Sequence, residues 1–267
     1  IDHCLVGSEM CIRDRSYIKF ATQASWVDLT PFFKVPVDEI LNEIHLVESM
    51  FNKERDQDQH KKMKESGTIG IGTAVEGQKA WSAISLLSRS GNYTDILTQG
   101  VFTNETKESY IGSFRNIRSH GWTSICEHMP ITTKFIREEL GSYIKLSYAK
   151  IAKLEAGGNI PMHADLPEVD FDFYNTTNTY NMLNNLLIEL NCPDGLEAYH
   201  DNQKLPYQKG SVIVCNQARV HGTKNNSNVT RYNLIKQGLH NKKFRDLIKN
   251  NIDHINVYPP SAKQVYV

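Results

Sequence analysis

Between Tyr143 and Ile235 the chain breaks into five short apolar runs: Tyr143–Leu154, Met182–Leu190, Leu196–His200, Ser211–Cys215 and Arg231–Ile235. Turn residues punctuate them, with Gly157-Gly158, Pro193-Asp194-Gly195 and Gln208-Lys209-Gly210 marking reversals. A helical stretch precedes these runs. From Val37 to about Lys64, the residues Ile40, Leu41, Ile44, Val47 and Phe51 recur at steps of three and four and form one apolar stripe. Pro130 to Leu140 reads as a second helix, capped by Thr132 or Thr133, and Leu239–Ile252 as a closing helix before the Pro259-Pro260 tail. Short strands after a mostly helical start predict an α+β chain that is mainly β. The expected form is a double-stranded β-helix (jelly roll or cupin) with the N-terminal helices packed on one sheet.

A length of 267 residues suits one domain with a sizeable core, and no repeat or low-complexity stretch divides it. The domain is expected over residues 17–267, with the β-helix core at about 143–238 and the closing helix at about 239–252. Residues 1–16 are set apart as a leader, because Cys4 to Arg15 resembles a translated sequencing adapter; they are expected to add nothing to core or site. Thirty basic and thirty acidic side chains cancel, so no broad positive field gathers a phosphate backbone, and nucleic-acid binding is not expected. No apolar run reaches the length that spans a bilayer. Five cysteines without paired spacing fit a reducing compartment, so the expected location is cytoplasmic. The charged Lys53–Lys64 run reads as a solvated helical face. The glycine-spaced Ser66–Thr73 segment reads as strand and turn, since no Lys-Ser/Thr pair follows to make a phosphate loop.

The chemistry concentrates in His163-Ala164-Asp165, His221 and Arg231. On a strand, side chains i and i+2 share a face, so His163 and Asp165 would point the same way. His221 brought alongside completes a 2-His-1-carboxylate face on a metal and leaves further positions open. That pattern suits Fe(II) that must bind both a co-substrate and dioxygen. Arg231 follows on the next strand with apolar Leu234 and Ile235 nearby, so it is expected to be at least half buried. A buried arginine needs an acidic partner. The far carboxylate of 2-oxoglutarate would supply one through a bidentate fork. Together these residues suggest a 2-oxoglutarate-dependent iron oxygenase. His200 is the rival distal ligand, but it falls in a hairpin with no arginine at a useful distance, and His221 is preferred.

The surrounding text resembles the aspartyl/asparaginyl β-hydroxylase family, which includes bacterial free-proline hydroxylases. Ser147–Leu154 leading into Glu155-Ala-Gly-Gly-Asn-Ile-Pro-Met-His-Ala-Asp165 is similar to that family's strand, short turn and Ile-Pro-x-His-x-Asp. Lys209–His221 resembles its Gly-led strand ending in the distal histidine, and Asn228–Ile235 its co-substrate strand. The resemblance covers about 143–238, with fainter echoes at Pro36–Ile44 and Trp122–Pro130. It implies use of Fe(II), 2-oxoglutarate and dioxygen, with decarboxylation of 2-oxoglutarate to succinate. It also implies hydroxylation of an amino acid, free or within a peptide, of aspartate, asparagine or proline kind. It further places a polar side chain at Asn184 or Asn185, where the family commonly has histidine. Asn185 is taken as the second partner of the co-substrate carboxylate. Asn216 falls where the family tends to place an acidic or amide residue.

Other residues receive plainer expectations. Trp81, Trp122 and Tyr148 are assigned to core packing, and Arg115 and Arg118 to solvated loops. Glu168, Asp170 and Asp172 follow the His-x-Asp motif in a loop that reads either as one closing over substrate at the barrel mouth or as an ordinary acidic surface loop. The alternative function, from another class, is a non-oxidative cupin-like protein that binds a metal or small molecule. An isomerase on the same barrel would not require Arg231.

Overall fold

Leu196, Ala198 and His200 are buried, while Glu197 and Tyr199 between them are less so, the period-two pattern of a strand with one covered face. That pattern organises most of the computed structural model, which describes residues 25–51, 79–88, 91–94, 121–163, 184–216, 219–251 and 257–258. The described strands are β1 (Trp26–Asp28), β2 (Lys79–Ser88), β3 (Gly121–Trp122), β4 (Ile144–His163), β5 (Asn184–Glu189), β6 (Leu196–His200), β7 (Gln203–Lys204), β8 (Val212–Asn216), β9 (His221–Asn225), β10 (Arg231–His240) and β11 (Val257–Tyr258). The described α-helices are α1 (Val37–Leu46), α2 (Pro130–Lys134) and α3 (Lys242–Asn251). None is long and apolar enough to cross a membrane.

The strands pair antiparallel in the order β11-β1-β8-β5-β10-β4-β9-β6-β7, with β2 added to β4 and β3 to β2. The long strand β4 carries the roll. Its residues up to Leu154 pair with β10 and β2, and its last residues pair with β9. Gly157, at φ 69°, bends it between the two halves. The expected reversal at Gly157-Gly158 is therefore a bend within one strand, and His163 ends that strand instead of following a turn. The sheet curls back on itself, so that Trp26, Ile213 and Cys215 of β1 and β8 pack against Ala198 and Leu205. The result is the expected jelly roll.

The outward face carries the main core. Ile151, Leu186, Ile188, Val212, Val214 and Leu234 meet Ile40 and Ile44 of α1, Ile136 and Leu140 after α2, and Phe244 and Ile248 of α3. Each such fully buried side chain contributes about 1.5–3 kcal/mol. The helices thus cover one sheet, as the sequence suggests, but two of their details differ. First, α1 ends at Leu46, where the expected helix ran to about Lys64. Val47 (φ −109°, ψ 12°) leaves the helical region, and a 3-10 turn, Glu48–Met50, follows. That turn brings the Glu48 carboxylate to the Tyr232 hydroxyl, which donates at 2.6 Å, and to the Lys153 ammonium, contacts with the sheet that continued α-helix does not make. Second, α2 is capped from outside. Glu43 of α1 accepts from Ile131 N (2.6 Å), Thr132 N (2.9 Å) and Thr132 Oγ1 (2.7 Å), while Met129 occupies the cap position. Thr132 lies inside the helix, and an acid from a neighbouring element does the capping. The helix then widens into a π turn, Phe135–Glu139. The remainder of the run to Lys64, the Ser66–Thr73 segment and the leader lie outside the described residues.

Lys236 is the anomaly of this core. It is fully buried, opposite Leu186 and Ala149, and its Nζ donates to Tyr148 O (2.8 Å) and Gln237 O (2.5 Å) with no carboxylate partner among the described residues. Burial drives its pKa well below the ordinary lysine value. The folded chain therefore gives up this proton at a lower pH than the unfolded chain does, and over that interval stability rises with pH towards the ordinary value of about 10.4. His240, held at a pKa of about 3 chiefly by burial, acts in the same sense between that value and about 6.5. Lys236→Met is expected to raise the urea midpoint at pH 7 and to flatten the climb in stability on the approach to about pH 10. A variant whose stability climbs as steeply as the parent's refutes this account.

Candidate functional site

The register of β4, β9 and β6 brings His163 opposite His221, and His221 opposite His200. Directly paired residues project on the same side of a sheet, so the three imidazoles share one face. It is the face on which Ala198, two residues before His200, packs inside the roll. The His163 and His221 ring centroids are 4.4 Å apart, and the His200 ring stacks on His221 at 5.7 Å with 15° between planes. The hairpin after β6 turns on Asp201 and Asn202, both at positive φ (51° and 62°), as a two-residue type I′ turn demands.

Two of the rings are held in one tautomer. His163 Nδ1 lies 2.8 Å from Pro161 O, and His221 Nδ1 lies 2.8 Å from Arg219 O. A carbonyl only accepts, so each neutral ring carries its hydrogen on Nδ1 and its lone pair on Nε2. That is the form a metal-binding histidine takes, with the outer hydrogen bond orienting the ring. His200 is held the other way round, with Nε2 2.9 Å from Asn216 O. His163 and His221 therefore fit a metal as donors, and His200 buttresses His221. The alternation Leu196, Ala198, His200 was the sequence signal that His200 faces inward. Asp165 lies outside the described residues, and among the described residues no three His, Cys, Asp or Glu side chains surround a metal position.

Gly222 lets β9 seat His221 against β4. A Cβ at this position would meet Ile160 O at 2.9 Å and Met162 N at 3.0 Å, both backbone atoms, as well as Met162 Sδ at 2.8 Å. Gly222→Ala is expected to push β9 away from β4, costing about 1–3 kcal/mol of stability. It should also weaken Mn(II) binding about tenfold, since the displaced His221 no longer meets His163. Mn(II) affinity equal to the parent's removes this role.

Arg231 opens β10 on the same inner face. It lies opposite Leu154, and its guanidinium carbon is 5.5 Å from the centre of the Tyr207 ring. It is 4% exposed and its partner Glu189, on β5, is 0% exposed. Arg231 Nε donates to Glu189 Oε1 (2.9 Å) and Oε2 (3.1 Å), and Nη2 donates to Oε2 (2.6 Å). The acidic partner that a buried arginine needs is thus already present within the chain. Burial pushes the Glu189 carboxyl above the usual carboxylate range, while the guanidinium pulls it back. Glu189 thus joins the residues of this site. Its available signal was an acid inside the apolar run Leu186-Leu187-Ile188-Glu189-Leu190.

Asn185 stands on the same face of β5 as Glu189, four residues earlier and opposite Cys215. It is 8% exposed, and its Oδ1 has no hydrogen-bond partner among the described residues. A buried amide with unspent hydrogen-bonding capacity is a fitting ligand contact. On the same inner face the apolar side chains pack in two clusters, Trp81, Ala83, Ala152 and Ile235 in one and Leu187 with Ile213 in the other. Tyr148 is buried and Trp122 packs against the main core, as expected for both. Arg115, Arg118, Glu168, Asp170 and Asp172 lie outside the described residues.

A family model described as aspartyl/asparaginyl β-hydroxylase matches residues 36–241. No curated protein matches the chain. Among solved structures, the chain is similar to a Trichoplax adhaerens prolyl hydroxylase in complex with a hypoxia-inducible-factor peptide fragment. That match has 13% identity and a TM-score of 0.39, and covers 92% of this chain and 97% of the other. It is also similar to a Pseudomonas putida prolyl-4-hydroxylase, with 10% identity, a TM-score of 0.43, and coverage of 86% and 99%. A third is a 2OG-Fe(II) oxygenase family oxidoreductase from Burkholderia pseudomallei, with 11% identity, a TM-score of 0.34, and coverage of 70% and 91%.

Proposed function

The chain belongs to the aspartyl/asparaginyl β-hydroxylase family, and on that footing we propose that it hydroxylates an amino acid, free or within a peptide. Fe(II), 2-oxoglutarate and dioxygen are the reagents of this proposal. His163 and His221, with Asp165 from the same motif, would hold the iron. Bound iron supplies the activation of dioxygen, coupled to conversion of 2-oxoglutarate to succinate and carbon dioxide. The chain's own contribution is placement. The Pro161 and Arg219 carbonyls hold the two imidazoles in the donor tautomer. Arg231 would grip the far carboxylate of 2-oxoglutarate, with Asn185 offering its amide from the neighbouring strand. The lining of Trp81, Ala152, Ile235 and Leu187 keeps water away from the reacting carbon.

The observation that carries this reading is the facing pair of rings, each with Nδ1 tied to a carbonyl and so in the tautomer whose Nε2 bears the lone pair. Anaerobic addition of Fe(II) and then 2-oxoglutarate to the full chain is expected to raise a weak visible charge-transfer band. Admission of air with a panel of aspartate, asparagine and proline substrates, free and peptidyl, is expected to yield succinate. No band, and no succinate with any member of the panel, overturns the proposal in favour of a non-oxidative binding protein on the same roll.

A further inference from the structure

We infer that Glu189 is a positioning residue which shares Arg231 with the far carboxylate of 2-oxoglutarate and takes up a proton when that carboxylate arrives, a role that rests on Arg231 being the co-substrate's anchor as proposed above. Glu189 occupies the side edge of the guanidinium, through Nε and Nη2. Nη1 donates to no described residue, so the end edge remains for a second carboxylate. With one edge held, the guanidinium plane is fixed before the co-substrate enters, and its remaining donors present a preset direction.

Charge counting then requires the proton. Arg231 brings one positive charge, and both members of the pair are almost wholly buried. A second buried carboxylate beside the first leaves one negative charge uncompensated, and two such groups sharing a site do not both stay ionised. The groups facing Glu189 leave it as the one to titrate. Arg231 comes from β10, together with the uncharged Asn233 opposite Glu189 in the ladder. Tyr207 and Cys192 come from the loops beside it, and burial pushes the ionisation of both upward, so both stay neutral through the working range. Ser211, on the β8 side, carries no charge and accepts the Glu189 backbone N–H. Burial has already raised the Glu189 carboxyl towards neutrality, so the proton goes there from solvent.

Anaerobic calorimetry on the Mn(II)-loaded full chain tests this, titrating 2-oxoglutarate at pH 6.5, 7.5 and 8.5 in phosphate and in Tris. The two buffers differ in ionisation enthalpy and so report the proton count directly. Proton uptake is expected to approach one per ligand as pH rises, with the dissociation constant growing towards about tenfold per pH unit. Glu189→Gln keeps an acceptor for Arg231 without the titration. It is expected to bind with no such pH dependence, and about tenfold or more tighter than the parent at pH 8.5. If this variant does not fold, the parent's proton count decides alone. A parent that takes up no proton and binds equally at all three pH values overturns the assignment. The paired variant Arg231→Met with Glu189→Met separates the two levels. Unweakened 2-oxoglutarate binding there removes the anchor itself, and this role with it. Lost binding there beside a proton-free parent removes only the role of Glu189.

Discussion

Arg231→Met alone is expected to lose 2-oxoglutarate binding by at least about two orders of magnitude, the scale on which removal of a buried charge partner acts. It is also expected to lose about 3–5 kcal/mol of stability, because Glu189 is left as a buried, unpaired carboxylate. The second effect confounds the first: a variant that is partly unfolded also fails to bind. Replacing both partners with apolar groups of similar length resolves this, since a buried ion pair exchanged for hydrocarbon is often neutral or stabilising. Arg231→Met with Glu189→Met should therefore recover much of the denaturant midpoint while 2-oxoglutarate affinity stays lost, as read by urea unfolding and anaerobic calorimetry on the same samples. A double variant that binds 2-oxoglutarate as the parent does would remove Arg231 from the site.

His221→Ala is expected to abolish metal retention and turnover while leaving the fold intact. The side chain is only part-buried, at the start of a strand held by its neighbours on both sides. His200→Ala is the informative companion. His200 stacks on His221 and holds Asn216 O, so its loss is expected to cost about 10–100-fold in Mn(II) affinity, the range for a group that orients a ligand. Mn(II) titration followed by electron paramagnetic resonance separates the two variants. Equal and complete loss of metal in both would mean that His200 is a ligand in its own right.

Much of this architecture was legible one strand at a time. Alternation along Leu196–His200, the apolar runs of β5 and β8, and the glycines at 195 and 210, both at positive φ, all report local geometry that a side chain's own neighbours settle. The helix ends were less legible. Glu43 caps a helix 88 residues further along the chain, and Glu48 is drawn to Tyr232 across 184 residues. Neither acid differs in its local sequence from an ordinary surface glutamate.

The residue types that could bind iron and a dicarboxylate, and the strand rhythm that carries them, belong to the sequence by itself, because a period of two and a His-x-Asp spacing are properties of a few adjacent residues. Tertiary structure decided which imidazoles face each other, how β4 bends to bring His163 to His221, and that Arg231 meets Glu189 first. Those outcomes depend on register between strands 42 to 58 residues apart in sequence, and register is set by burying one whole face of the roll at once.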